Sequence, residues 1–304
     1  MKTVSLSSLS LVVILCCQSV TRADYVTSYF QPFGTTTDIH DRSLENITDA
    51  SGNPTSQIAV GDILTGTVSY SYESTTTGTS PTFPSTIQVT AYFQEKVTSI
   101  AGSAPSYTID FAPTTAFQNT YGTGAIAALY ENDNSTPYTT LINNASNTQT
   151  LANYVNAATS GTLLAVVGFT GTNGQAQNGE GWQATSVTTL STVDSSSTAN
   201  IGFYSANLNL ITATPALLNS PNYVFASDQT SSFAVGQNTQ FSITGHVFTQ
   251  QSTAPNSGVF PIGDGSDVFF DVNVVPEPSS LTLLAFGGFG LIGAAWRRRH
   301  AAVA

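Results

Sequence analysis

Positive charge is what this chain has least of. Its seven lysines and arginines face eighteen aspartates and glutamates. Five of the seven lie at the ends, Lys2 and Arg22 near the start and Arg297, Arg298 and Arg299 at the close. Between residues 24 and 275 only Arg42 and Lys96 stand against seventeen acidic residues, a formal charge of −15. Such a surface repels phosphate backbones, so nucleic acid is excluded as a partner. Lysine-dependent catalysis is excluded with it, because the periodicity around Lys96 puts that residue on a solvated strand face.

Cysteine and histidine are almost as scarce. Cys16 and Cys17, the only cysteines, both fall in an N-terminal apolar run, and without that run the chain has no thiol, disulfide or cysteine metal ligand. Residues 24–275 contain only His40 and His246, with no HExxH, which removes zinc-protease chemistry. His246 falls on a strand face with Ser242 and Thr244, opposite Phe241, Ile243 and Val247, and reads as a solvent-facing residue of a sheet. GxSxG and GxxxxGK[ST] are both absent, so neither a hydrolase nucleophile elbow nor a phosphate-binding loop is present. Gly122, Gly124 and Ala127 fit the loose form GxGxx[GA]. No βαβ unit surrounds them and no acid lies about twenty residues on to hold a ribose, so they read as a turn entering a strand.

What is abundant is Thr, Ser, Asn, Gly and Gln, with apolar residues recurring at a period of two between turn-forming clusters. In TIQVTAYFQEKV, Ile87, Val89, Ala91, Phe93 and Val97 share one face and Gln88, Thr90, Gln94 and Lys96 the other, while Glu95 interrupts the apolar face and suggests a bulge or strand end. ILTGTVSYSY and DVFFDVNVV alternate in the same way, and seven further candidate strands lie at 107–111, 125–130, 162–170, 182–190, 201–211, 223–226 and 241–249. About ten strands separated by turns predict an all-β body over residues 24–275, an antiparallel β-sandwich or jelly-roll-like domain. One short helix is expected within it. Leu151, Tyr154, Val155 and Ala158 have helical spacing, with Asn147 placed to cap the start and Gly161 to close the end.

The first 23 residues have the order of a secretory signal peptide, a lysine, a largely apolar run over residues 9–17 and a polar stretch with cleavage expected after Ala23. The run is too short to cross a bilayer core of ~30 Å. At the other end, residues 279–296 carry no charge, and as a helix rising ~1.5 Å per residue they reach far enough to span. Trp296 then sits at the interface, and Arg297, Arg298 and Arg299 hold the C-terminus in the cytoplasm. Pro276 and Pro278 prevent the helix from starting earlier.

The order Pro276-Glu277-Pro278, then an apolar glycine-rich span, then a terminal arginine cluster resembles the PEP-CTERM sorting signal. The resemblance is confined to residues 275–300, and residues 276–304 make up the sorting and anchor segment. It implies an exported protein held transiently in the inner membrane and passed to an exosortase that cuts near Pro276-Glu277-Pro278. It also implies an association with extracellular polysaccharide or biofilm.

For the body itself, chemistry has few residues to draw on. Asp264, Asp267 and Asp271 lie in PIGDGSDVFFDV, where Asp-Gly and Ser-Asp suggest a turn opening the last strand, and three oxygen donors in such a turn suit calcium. An Asx turn with no metal is the plainer reading, and no other cofactor is required. Asp38, Asp41 and Glu45 form a second acidic group and Glu131 with Asp133 a third, both expected in solvated loops. Trp182 in NGEGWQA reads either as core or as a sugar-stacking platform. The expected function is therefore an exported, non-catalytic surface or matrix protein. The alternatives are a glycan-binding module, which needs an exposed aromatic row, and an exported glycan hydrolase, which needs two inward-facing carboxylates in a cleft.

Overall fold

The computed structural model describes residues 37–75, 88–132, 150–192, 199–213, 223–249, 262–270 and 272–274. Ala23, Asp271, Asp133 and the tail from residue 275 onward lie outside them. Among the described residues no helix is long and apolar enough to cross a membrane, and the expected span at 279–296 falls beyond them.

The chain forms β1 (Thr37–Thr48), β2 (Ile63–Thr75), β3 (Gln88–Ser103), β4 (Ser106–Pro113), α1 (Thr115–Tyr121), β5 (Ala125–Asn132), α2 (Leu151–Ala158), β6 (Thr162–Gly168) and β7 (Gly181–Val187). There follow β8 (Ala199–Ala213), β9 (Tyr223–Phe225), β10 (Gln229–Thr230), β11 (Asn238–Thr239), β12 (Phe241–Thr249), β13 (Ile262–Phe270) and β14 (Val272–Val274). All pairings are antiparallel. The body is all-β, as its period-two pattern predicts.

Ten strands make one sheet in the order β12-β13-β1-β2-β3-β4-β7-β8-β6-β5, with β12 also pairing β8 and β3 also pairing β5. Those two extra ladders close it. One edge of β3 meets β2, and its other edge meets β5 through residues 88–93 and β4 through 95–103. β8 divides its own edge between β7 and β6 and gives the other to β12. Among the described residues each of the ten strands thus has a partner on both sides over part of its length, so none is an edge strand of this sheet. Opposite walls face each other across one shared core, which includes Ile47, Leu64, Val89, Phe93, Ile109 and Leu208.

Several local expectations are corrected. β1 carries no strand signal in the sequence: TDIHDRSLENIT is too rich in charge to show alternation, yet it pairs with β2 along its length and with β13 over residues 37–45. Asp38, Asp41 and Glu45 are therefore on a strand and not in a solvated loop, and Glu45 is buried. Glu131 lies on β5, likewise not in a loop. The irregularity expected at Glu95 falls later, between Val97 and Ser99 on the β3–β4 ladder. Glu95 itself keeps the inward phase of Phe93 and Val97 and is fully buried.

On the outer face of β3, Gln88 and Thr90 are buried too, and α2 packs against this strand. The Thr90 hydroxyl donates to the Ala158 carbonyl at 2.5 Å, and Tyr154, Ala157 and Ala158 pack with Leu44 of β1. The cap of α2 is Thr150, whose Oγ1 accepts from the Asn153 amide, and not Asn147; the helix ends at Thr159 and not at Gly161. Gly161 is needed for another reason, since a Cβ there would collide with the Glu131 carbonyl of β5. A second helix, α1, is present in addition to the one expected. It is a single capped segment, with Thr114 Oγ1 accepting from the Phe117 amide at 3.1 Å, and it buries Phe117 alone of its residues, too few to leave a periodic trace. It ends at Gly122 (φ +109), which confirms that the Gly122-Thr123-Gly124 stretch is a turn entering β5.

Candidate functional site

The interior of the closed sheet is the first place to look for a site. Two adjoining cavities lie there, of about 70 Å³ and about 50 Å³, and Tyr70, Ala127 and Ile243 belong to the walls of both. The larger is lined mainly by apolar and aromatic side chains, with Ser43, Glu45 and Glu95 as its polar members. Glu45 is opposite Gly66 on β2, and Glu95 of β3 is opposite Leu64 of the same strand, so β2 separates the two carboxyl-bearing positions. The Ser43 hydroxyl donates to Glu45 Oε1 at 2.7 Å.

Size decides what this space can hold. A buried water needs roughly 10–15 Å³, whereas an apolar cavity that takes benzene is about 150 Å³. The larger cavity accommodates a few waters and no sugar ring. Two glutamates do face inward, as a hydrolase requires, but the space they share is not a substrate cleft.

Trp182 also belongs to this interior. Its ring centroid is 5.7 Å from that of Phe93 and 6.3 Å from that of Tyr204, stacked on the latter at 12°. Of the two readings of Trp182 the structure supports core packing, and the sugar-platform reading is corrected. The neighbouring Glu180 is the better-held residue. It is buried, and its carboxylate accepts from the Thr170 amide (2.9 and 3.0 Å), the Thr170 hydroxyl (2.5 Å), the Gln177 amide (3.0 Å) and Asn209 Nδ2 (2.8 Å). The signal for it was the pair of flanking glycines. Gly179 has φ +90, and Gly181 lies so close under the Phe233 ring that a side chain there would collide with it. Asp110 is similarly engaged, accepting from Ser99 Oγ at 2.5 Å and Gln183 Nε2 at 2.6 Å.

The calcium candidates do not form the expected turn. β13 runs unbroken through Asp264 and Asp267, paired with β1 on one side and β12 on the other. Positions three apart on a strand fall on opposite faces of a sheet, which is why a strand cannot gather them as a loop would. Among the described residues no three His, Cys, Asp or Glu side chains come together as a metal site.

On the outer surface, His246 is exposed as expected and packs against Phe203 directly across the β8–β12 ladder, with ring centroids 4.7 Å apart. Phe203 is 49% exposed. Thr244 and Ser205 form the next outward pair on the same ladder.

The clearest functional assignment comes from the tail. β14 ends at Val274, and residues 274–299 match the PEP-CTERM protein-sorting motif. The match takes in Pro276, Glu277 and Pro278, the apolar run and all three of Arg297, Arg298 and Arg299. That motif marks an exported protein, transiently anchored at the membrane, with an exosortase as its processing partner. No curated protein matches the chain.

Proposed function

We propose that this chain is a non-catalytic cell-surface or extracellular-matrix protein, delivered by its two ends and associated with exopolysaccharide or biofilm. The signal peptide at 1–23 sends it through the Sec pathway. The helix at 279–296 then holds a sandwich- or jelly-roll-like body outside the inner membrane, with Arg297, Arg298 and Arg299 in the cytoplasm, until an exosortase cuts near Pro276-Glu277-Pro278. The observation that carries this reading is the sorting motif at 274–299.

A non-catalytic body is supported by where its acids lie. Glu180 and Asp110 are occupied by hydrogen bonds, and Glu45 and Glu95 line a cavity with room for a few waters. Intact mass of the protein recovered from producing cells is the test. A C-terminus near Pro276 supports the proposal, and a tail retained through Arg299 means permanent anchoring instead.

A glycan-binding body is the second reading, favoured by the exposed Phe203 ring braced on His246 with hydroxyls beside it. Glycan-array binding that disappears in Phe203→Ala would establish it, and repetition with a chelator would show whether calcium takes part.

A further inference from the structure

The folded body reaches the sorting motif without an intervening linker. Val272, Asn273 and Val274 of β14 register with Phe225, Val224 and Tyr223 of β9, and the motif begins at Val274 itself. β9 is fixed in turn to the closed sheet. Phe225 is buried, with ring centroids 4.9 Å from Phe241 and 5.6 Å from Phe270. Its carbonyl accepts from Gln240 Nε2 at 3.2 Å, while Oε1 of the same glutamine accepts from the Leu210 amide of β8 at 2.7 Å. β13, just before β14, is paired on both sides.

A protease that takes its substrate as an extended strand needs backbone groups free to pair with the enzyme. Backbone already engaged in a ladder becomes available only through local opening, and cleavage then follows the population of the open form. We propose that the β9–β14 ladder sets the inner limit of tail processing. The exosortase cuts no nearer to the ladder than the bond after residue 275, leaving a terminus at 275 or beyond, and β14 stays with the mature body. This rests on the exosortase reading given above. Between Val274 and the expected span at 279 the chain has five residues to advance, at most ~18 Å even when fully extended. The enzyme works in that interval, between the folded wall and the membrane.

Two measurements test the limit separately from the identity of the enzyme. In the first, the full chain in detergent is treated briefly with proteinase K and its products are read by intact mass. The wild type should be trimmed to residue 275 or beyond. Phe225→Ala, which removes the anchor of β9, should shift the terminus upstream of 275, and Phe225→Leu should restore it. Asn273→Pro acts on β14 alone and should give the same upstream shift even if Phe225→Ala fails to fold. In the second, the mature proteins are recovered from producing cells, and the same variants should show the same displacement. A wild-type terminus at or before residue 274 in either measurement overturns the proposal, as does an unshifted terminus in Asn273→Pro. A cellular product that keeps Arg299 overturns the exosortase reading and the enzyme's part in this proposal, while the proteinase K result still decides whether the ladder protects.

Discussion

The ring of Phe93 lies over Gly66 on the adjacent strand, filling the space that a side chain at residue 66 would need. Glycine weakens a strand unless something covers it, and here a directly paired aromatic ring does so. From Gly66 the ring leads on to Trp182 and Tyr204, so one missing side chain sets the course of an aromatic row across the interior. Gly66→Ala should cost about 1–3 kcal/mol by overpacking, and Phe93→Ala about 3–5 kcal/mol by loss of buried ring. The two should not add, because an alanine at 66 meets no ring once Phe93 is gone. Urea unfolding of both single variants and the double variant checks this, and strict additivity would contradict the contact.

Glu180 should act as a pin for the segment that joins β6 to β7. It gathers donors from Thr170, Gln177 and Asn209, and no cation is among them. Glu180→Gln keeps the shape but turns an N–H toward backbone N–H groups, which leaves buried donors unpaired at a cost of about 1–3 kcal/mol. Glu180→Ala should cost more, because it strands all of them. Hydrogen exchange gives the sharper reading: the Thr170 and Gln177 amides should exchange faster in both variants, by a larger factor than amides in the middle of β3.

Alkaline pH should expose a second group of residues. Burial raises the phenols of Tyr92, Tyr130 and Tyr154 above the ordinary value of 10.0. For Tyr130 the hydrogen bond with Tyr121, at 2.8 Å, adds to the effect. A folded-state pKa above the unfolded one means that the contribution to stability is complete below pH 10 and is lost as pH rises through the folded values. A spectrophotometric titration should therefore show these three ionising only above the ordinary value, together with loss of β-sheet circular dichroism. Ionisation of Tyr92, Tyr130 and Tyr154 at the ordinary value of 10.0 with the fold intact would refute it.

The strands were readable wherever apolar and polar residues alternated, as in β2, β3, β4 and β12, and β5 was readable as a short apolar run. β1 was hidden because its inward positions include Ser43 and Glu45, polar residues whose burial depends on neighbours distant in sequence. Closure of the sheet was hidden for a related reason. It depends on β3 and β8 each dividing one edge between two partners, which is a matter of register and leaves no compositional mark. The sorting motif was readable because it is contiguous, whereas Glu180 depends on partners up to 29 residues away.

Trp182 supplies a test that separates the two readings of the body. Trp182 and Trp296 are the only tryptophans, so cleavage near Pro276 leaves Trp182 as the sole indole of the mature protein. Held between Phe93 and Tyr204, it should emit at short wavelength, resist quenching by acrylamide, and shift to the red on unfolding. Because the ring faces the interior, oligosaccharides should leave its emission unchanged even if the Phe203 face binds them. Quenching by a glycan that persists in Phe203→Ala would place a sugar against Trp182 and contradict the interior stack.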